Sequence, residues 1–304
     1  VVPIAKERTP EAAGLKNAPG LSPLFVLGTA HSGTTILYRM LAHHPGLVWF
    51  SQFSLRGGEI PGRFRVPGAG ILDRVLRSFP HRWEKGEPRL RRLVVPRPGE
   101  TATIWNHLLG GGHAFASVEE LDEPPAPNPV TGREQVDVQR VRRCLAGFSE
   151  RFDDRRLLAK VPSAEGYRFL RPLRDACPGA RFVHIVRDGR PVAFSLRSKF
   201  ERRFDPHDAL LAAGRHWVTM LQEVESEPGD VLELRYEDLC DDVPGAIRTV
   251  LEHAELEIES FPYERCPRKL TQTNSRRLEA ASAAEVTELS ELQHDLLSRY
   301  DYPR

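Results

Sequence analysis

The stretch 24–41, LFVLGTAHSGTTILYRML, constrains the fold more than any other part of the chain. LFVL is an unbroken apolar run, the pattern of a short strand covered on both faces of a parallel sheet. The run stops at Gly28, crosses a small polar turn to Gly33, and resumes with Ile36, Leu37, Met40 and Leu41 at helical spacing. Pro45, which cannot continue a helix, closes the segment at HHPGL. The spacing therefore predicts a strand over Pro23–Gly28 and a helix from about Gly33 to His43. Strand, GxxxxG turn and helix together make an anion cradle. The glycines allow a tight turn and close approach of the backbone, and the first-turn N–H groups and helix dipole favour negative charge. Thr34 and Thr35 add hydroxyl donors.

The rest of the chain repeats the alternation that such a turn requires. LVWF (47–50) reads as a second strand, LLAKV (157–161) and RFVHIV (181–186) as two more, and VLELRYEDL (231–239) as a strand running into a polar segment. Helical spacing is present in 135–152, 164–177, 208–227, 243–254 and 283–299, and RDGRPVAFSLRSKF reads as a turn and helix. Strands alternating with helices predict an α/β fold with a central parallel sheet, flanking helices, and ligands at the carboxyl ends of the strands. Residues 1–22 read as an arm, and 23–304 as one domain. Between about 51 and 150 lies a loop-rich insertion, with weaker helical patterns near 70–79 and 101–109 and a proline-rich loop at 122–132. An insertion of this composition is expected to form the acceptor pocket or a lid.

The turn departs from a nucleoside-triphosphate loop at a telling place. The pattern GxxxxGK[ST] puts a lysine after the second glycine; here Thr34 stands there. A kinase would lose its β/γ-phosphate cation by that change, although the cradle itself remains. HSGTTILYRMLAHHP resembles the 5′-phosphosulfate loop of sulfotransferases that use 3′-phosphoadenosine 5′-phosphosulfate (PAPS). RFVHIVRDGRPVAFSLRSKF is similar to the 3′-phosphate segment of the same family, a strand ending in Arg187 with Ser195 eight residues on. LRYEDL (234–239) matches more weakly, placing Tyr236 near the nucleotide, and LLAKVPS resembles a strand-end lysine–proline pattern of tyrosylprotein and related bacterial sulfotransferases. The resemblance covers about 24–50 and 157–299 and leaves most of 51–150 unmatched.

The resemblance implies a nucleotide-kinase-like P-loop core and a PAPS-dependent sulfotransferase releasing adenosine 3′,5′-bisphosphate. It implies that His31, Ser32, Gly33, Thr34 and Thr35 hold the 5′-phosphosulfate, and that Arg187 and Ser195 hold the 3′-phosphate with Tyr236 beside it. Lys199 and the segment from Lys269 to Asn274 are expected to close over the nucleotide. An arginine fork suits phosphate oxygens; the plainer reading of Arg187 is a salt bridge with Asp188 or Glu237. Relatives carry arginine or lysine where this chain has His31. Two readings follow. Either His31 stabilises the leaving oxygen, with Lys160 supplying permanent charge and Thr35 assisting, or His31 only packs on the nucleotide and Lys160 carries the electrostatics. The acceptor's base is a choice among Glu59, His107 and His113, because Gln52 stands near the offset at which tyrosylprotein relatives have a glutamate.

Composition narrows the partners. With 43 Lys and Arg against 42 Asp and Glu, the chain lacks the positive excess of a nucleic-acid binder. Its expected partner is a small-molecule or glycan acceptor, or a tyrosine, with a homodimer left open. Cys144, Cys177, Cys240 and Cys266 are too scattered for a zinc ribbon or disulfide scaffold, and no metal is called for. They suit a bacterial cytoplasm, and no apolar run is long enough to span a membrane. The chain begins at Val1, which leaves room for a removed leader or anchor. A P-loop small-molecule kinase and a non-catalytic nucleotide-binding protein are the competing readings.

Overall fold

The computed structural model describes residues 22–51, 98, 105, 136–153, 155–161, 170–226, 229–272 and 274–303. Five parallel strands, β1 (Leu24–Leu27), β2 (Leu47–Trp49), β3 (Arg156–Lys160), β4 (Arg181–Val186) and β5 (Val231–Arg235), form one sheet in the order β2-β3-β1-β4-β5. Helix α1 (Thr34–Leu41) follows β1, α2 (Val138–Glu150) precedes β3, and α3 (Leu170–Ala176) precedes β4. Between β4 and β5 run α4 (Gly189–Phe200) and α5 (Pro206–Ser226). After β5 come α6 (Tyr236–Asp241), α7 (Val243–His253), α8 (Asn274–Glu279), α9 (Ala283–Leu292) and α10 (His294–Arg299).

Strand residues alternate between two apolar layers, as a sheet covered on both faces requires. Phe25, Leu27, Leu157, Ala159 and Phe182 pack with α2 and α3 on one face, whereas Leu24, Val26, Leu158, Val183 and Ile185 pack with α1 and α7 on the other. A third cluster joins Val186 to α4, α5, α9 and α10. The chain leaves β1 toward β2 on one side of the sheet and leaves β4 toward β5 on the other, so the connections diverge between the neighbours β1 and β4. That divergence opens the crevice in which doubly wound sheets take their ligands.

The expected strands and most helices are present with small shifts of boundary. Three differences have physical causes. VLELRYEDL is strand only to Arg235, and Tyr236 opens α6 with Glu237 and Asp238 in its first turn, where the helix dipole favours carboxylates. The helix expected over 283–299 breaks at Gln293, which is buried with its side-chain amide against the Gly214 carbonyl of α5. Helix α8 was not anticipated, since NSRRLE has no apolar spacing to announce it.

Trp105 is buried in the sheet core, its ring centroid 6.0 Å from that of Phe25, and its indole N–H donates to the Lys160 carbonyl at 2.9 Å. Ser51 and Pro98 form an antiparallel bridge. The arm at 1–21, Gln52, Glu59, His107 and His113 lie outside the described residues.

Candidate active site

The turn after β1 is built by two glycines and one inward hydroxyl. A Cβ on Gly28 would come within 2.5 Å of Ser32 Oγ and 2.7 Å of the Ile185 carbonyl oxygen. Gly33 has φ 95°, and a Cβ there would lie 2.5 Å from the Tyr236 ring. Ser32 is fully buried and its hydroxyl donates to the Thr29 carbonyl at 2.7 Å, closing the turn on itself. His31 takes φ 66°, a left-handed conformation, which turns its side chain outward into an exposed position. Gly33 caps α1 without a side-chain hydrogen bond, and the first helical turn carries no acidic residue. Such a helix start presents backbone donors and a positive dipole end with no carboxylate on the first turn to oppose them.

Strands β3 and β4 deliver two cations to this turn. Lys160 ends β3, and its Nζ donates to Thr35 Oγ1 at 3.0 Å. Arg187 follows β4 and is only 6% exposed. Its Nη1 donates to the His31 carbonyl at 2.7 Å, its Nε donates to Asn274 Oδ1 at 2.8 Å, and its guanidinium carbon lies 4.5 Å from the Tyr236 ring centroid. Burial is the main cause that lowers the Arg187 pKa, and nearby Arg277 adds to it. Burial likewise pushes the Tyr236 phenol up to about 12, with a smaller contribution from its hydrogen bond to Cys240, so the ring stays neutral beside the cation. The two carboxylates that might have claimed Arg187 have partners of their own: Asp188 holds Arg190 through both oxygens, at 3.0 and 2.8 Å, and Glu237 accepts from Asn274.

The structure thus brings His31, Ser32, Gly33, Thr34, Thr35, Lys160, Arg187 and Tyr236 to one end of the crevice. Ser195 and Lys199 lie farther along α4. The Ser195 hydroxyl donates to the Pro191 carbonyl one turn back, at 2.7 Å, and Lys199 is exposed in the last turn, close enough to His216 to lower its pKa after burial. Asn274 reaches Arg187 from the far segment; Glu237, which the plainer reading paired with Arg187 directly, is held by Asn274 instead, and Arg277 was not foreseen. Among the described residues no cluster of His, Cys, Asp or Glu could hold a metal, and no helix is long and apolar enough to cross a membrane.

Comparison with known proteins bears directly on this geometry. A family model described as "Sulfotransferase family" matches residues 23–260, which include both the turn and the Arg187 strand. This chain belongs to the sulfotransferase family. Two curated sulfotransferases, the omega-hydroxy-beta-dihydromenaquinone-9 sulfotransferases Stf3 of Mycobacterium bovis and Mycobacterium tuberculosis, are each 23% identical over 315 residues, covering 93% of this chain and 76% of the relative. The crystal structure of sulfotransferase STF9 from Mycobacterium avium superposes with a TM-score of 0.60 at 17% identity, over 94% of this chain and 78% of that one. STF1 from Mycobacterium tuberculosis superposes with a TM-score of 0.51 at 18% identity, over 89% and 76%. At these identities the superpositions show a shared sulfotransferase fold; the family match rests on the sequence.

Proposed function

We propose that this sulfotransferase moves a sulfuryl group from PAPS to a hydroxyl of a small-molecule acceptor. The observation that carries the reading is the hydrogen bond from Arg187 to the carbonyl of His31, because it ties the two nucleotide segments to one end of one crevice. The donor set suits a nucleotide with an anionic group at each end: an uncapped helix start free of acidic residues, Lys160 at one side and Arg187 at the other. When bound, PAPS supplies the activated sulfuryl group, and adenosine 3′,5′-bisphosphate is the product.

The chain's own residues divide the work. The first-turn N–H groups of α1 with Thr34 and Thr35 hold the 5′ end. Thr35 Oγ1 accepts from Lys160, which seats the ammonium beside the first turn of α1. Lys160 thereby supplies fixed positive charge where the leaving oxygen gains negative charge, and His31 donates a further hydrogen bond there. Arg187, flanked by Tyr236, takes the 3′-phosphate, with Ser195 on α4 as the second ligand once its hydroxyl turns from the Pro191 carbonyl, and Lys199 closing over it. The 51–150 region forms the acceptor pocket and contributes the base, with Glu59 the first candidate and His107 and His113 the others. The names of the curated relatives give a hydroxylated menaquinone as their acceptor, which favours a hydroxyl over an amine here.

Calorimetry with adenosine 3′,5′-bisphosphate and with Mg–ATP, followed by turnover of PAPS against a panel of hydroxylated lipids, phenols and glycans, tests the reading. Tight bisphosphate binding with transfer to a hydroxyl is the expected result. Tight Mg–ATP binding without response to the bisphosphate would overturn it. Lys160→Met should lower kcat about 10²–10³-fold with modest change in affinity. His31→Ala with near-normal turnover at saturating PAPS would remove His31 from the chemistry and leave Lys160 alone in that role.

A further inference from the structure

A buried guanidinium can serve as a phosphate ligand only if its plane is already aimed, since turning it after the nucleotide arrives costs affinity. Arg187 is aimed on two sides by the His31 carbonyl and by Asn274 Oδ1. The second contact raises a question of its own, because a primary amide is two-faced: rotated by half a turn, Asn274 would present its NH₂ to the arginine and repel it. Glu237 decides the matter. Its carboxylate only accepts, and its Oε1 receives Asn274 Nδ2, so the amide oxygen is left to face Arg187.

Glu237 is itself held from two directions. The Asp188 backbone N–H donates to Oε1 at 3.3 Å, and the Tyr302 hydroxyl donates to Oε2 at 2.9 Å. Tyr302 is 4% exposed, and burial together with Glu237 raises its phenol pKa well above the ordinary tyrosine value, so it remains a donor at any working pH. The segment that carries it is fastened around it. The Tyr302 N–H donates to the Leu297 carbonyl at 2.8 Å, the Pro303 carbonyl accepts from Arg190 at 2.6 Å, and Tyr300 donates to Glu233 at 2.6 Å. Arg235 lies over the Tyr302 ring, 4.8 Å from its centroid.

We propose that Tyr302 and Glu237, acting through the amide of Asn274, are positioning residues that set the Arg187 guanidinium for the ribose 3′-phosphate. The inference rests on the assignment of Arg187 as the 3′-phosphate ligand and adds what orients it: a chain of hydrogen bonds beginning about 115 residues away in sequence, across the last helices of the fold. None of Tyr302, Glu237 and Asn274 needs to touch the 5′ end of the nucleotide. Their effect should therefore appear only when a 3′-phosphate is present.

The test is calorimetry of the whole chain with two probes, adenosine 3′,5′-bisphosphate and adenosine 5′-phosphate, on the wild type, Tyr302→Phe, Asn274→Ala, Arg187→Ala and the Arg187→Ala/Tyr302→Phe double variant, with unfolding midpoints recorded. The quantity read is the preference of each protein for the bisphosphate. Tyr302→Phe should lower that preference about threefold to tenfold, and Asn274→Ala more, while adenosine 5′-phosphate affinity holds within about twofold. In the Arg187→Ala background, Tyr302→Phe should change nothing further. Parallel weakening of both nucleotides in Tyr302→Phe or Asn274→Ala, or an unchanged preference, overturns the positioning role. So does a full Tyr302→Phe effect in a protein that lacks Arg187. A wild type that binds both probes equally, or an Arg187→Ala variant with the wild-type preference, refutes the assignment of Arg187 itself, and the positioning role with it.

Discussion

At Gly33 two constraints coincide, and either alone would exclude a side chain. The backbone sits at φ 95°, and the space where a Cβ would project is filled by the Tyr236 ring. Gly33→Ala is expected to destabilise the fold by about 1–3 kcal/mol and to weaken bisphosphate binding more than tenfold, read from unfolding midpoints and calorimetry on the same samples. This glycine was legible in the sequence, because GxxxxG between an apolar run and a helical run demands it. Its neighbour in space was not. Tyr236 reaches Gly33 because β5 ends at Arg235 and the chain turns into a helix there. Arg187 is a similar case: the strand-end arginine was visible, but its hydrogen bond to the His31 carbonyl depends on β1 and β4 being neighbours in the sheet. Arg187→Lys should keep the charge yet lose at least about tenfold in bisphosphate affinity, because an ammonium cannot bridge Asn274, His31 and a phosphate in one plane.

Helix α1 carries at its far end a pair of histidines that the apolar spacing gave no reason to single out. His44 accepts from the Gly46 N–H at Nδ1 and donates from Nε2 to the Glu257 carbonyl, at 3.0 and 2.9 Å. That pattern fixes the neutral tautomer. Burial, more than any charge, lowers both pKa values, that of His43 to about 4 and that of His44 below its ordinary value. The sign of the consequence follows from linkage. Above the unfolded value of 6.5 neither state takes up a proton and stability is flat. As pH falls from there toward about 4, the unfolded chain binds protons that the folded chain refuses, and stability drops. The loss attributable to His43 is roughly 1–3 kcal/mol when fully developed. Unfolding midpoints should therefore decline between about pH 6.5 and pH 4, and His43→Gln should make the decline shallower. Among the helices, those with apolar faces were readable, whereas α8 and the break at Gln293 were not, because they answer to partners in α4 and α5 rather than to local pattern.

For the molecule as a whole, the sequence supplied strands, helices and the end of the sheet where a ligand belongs, but not the order β2-β3-β1-β4-β5. Nothing in the residues of β3 says that it lies between β2 and β1, and that placement is what brings Lys160 to Thr35. Composition marked 51–150 as a loop-rich insertion within one domain, and Trp105 is the residue of it that packs in the sheet core. Its indole is packed on Phe25 and hydrogen-bonded to the carbonyl of Lys160 itself. Trp105→Ala should cost about 3–5 kcal/mol in chemical denaturation, and Trp105→Phe less, since it keeps the bulk and forfeits the donor.

That indole has a bearing on any attempt to redirect the enzyme by transplantation. If the proposed division of labour holds, a chimera that borrows a foreign 51–150 stretch would exchange the acceptor pocket and, with it, the indole that props the Lys160 carbonyl. Grafts that retain a tryptophan in register with residue 105 should keep their turnover, and grafts without it should accept the new compound yet sulfate it slowly.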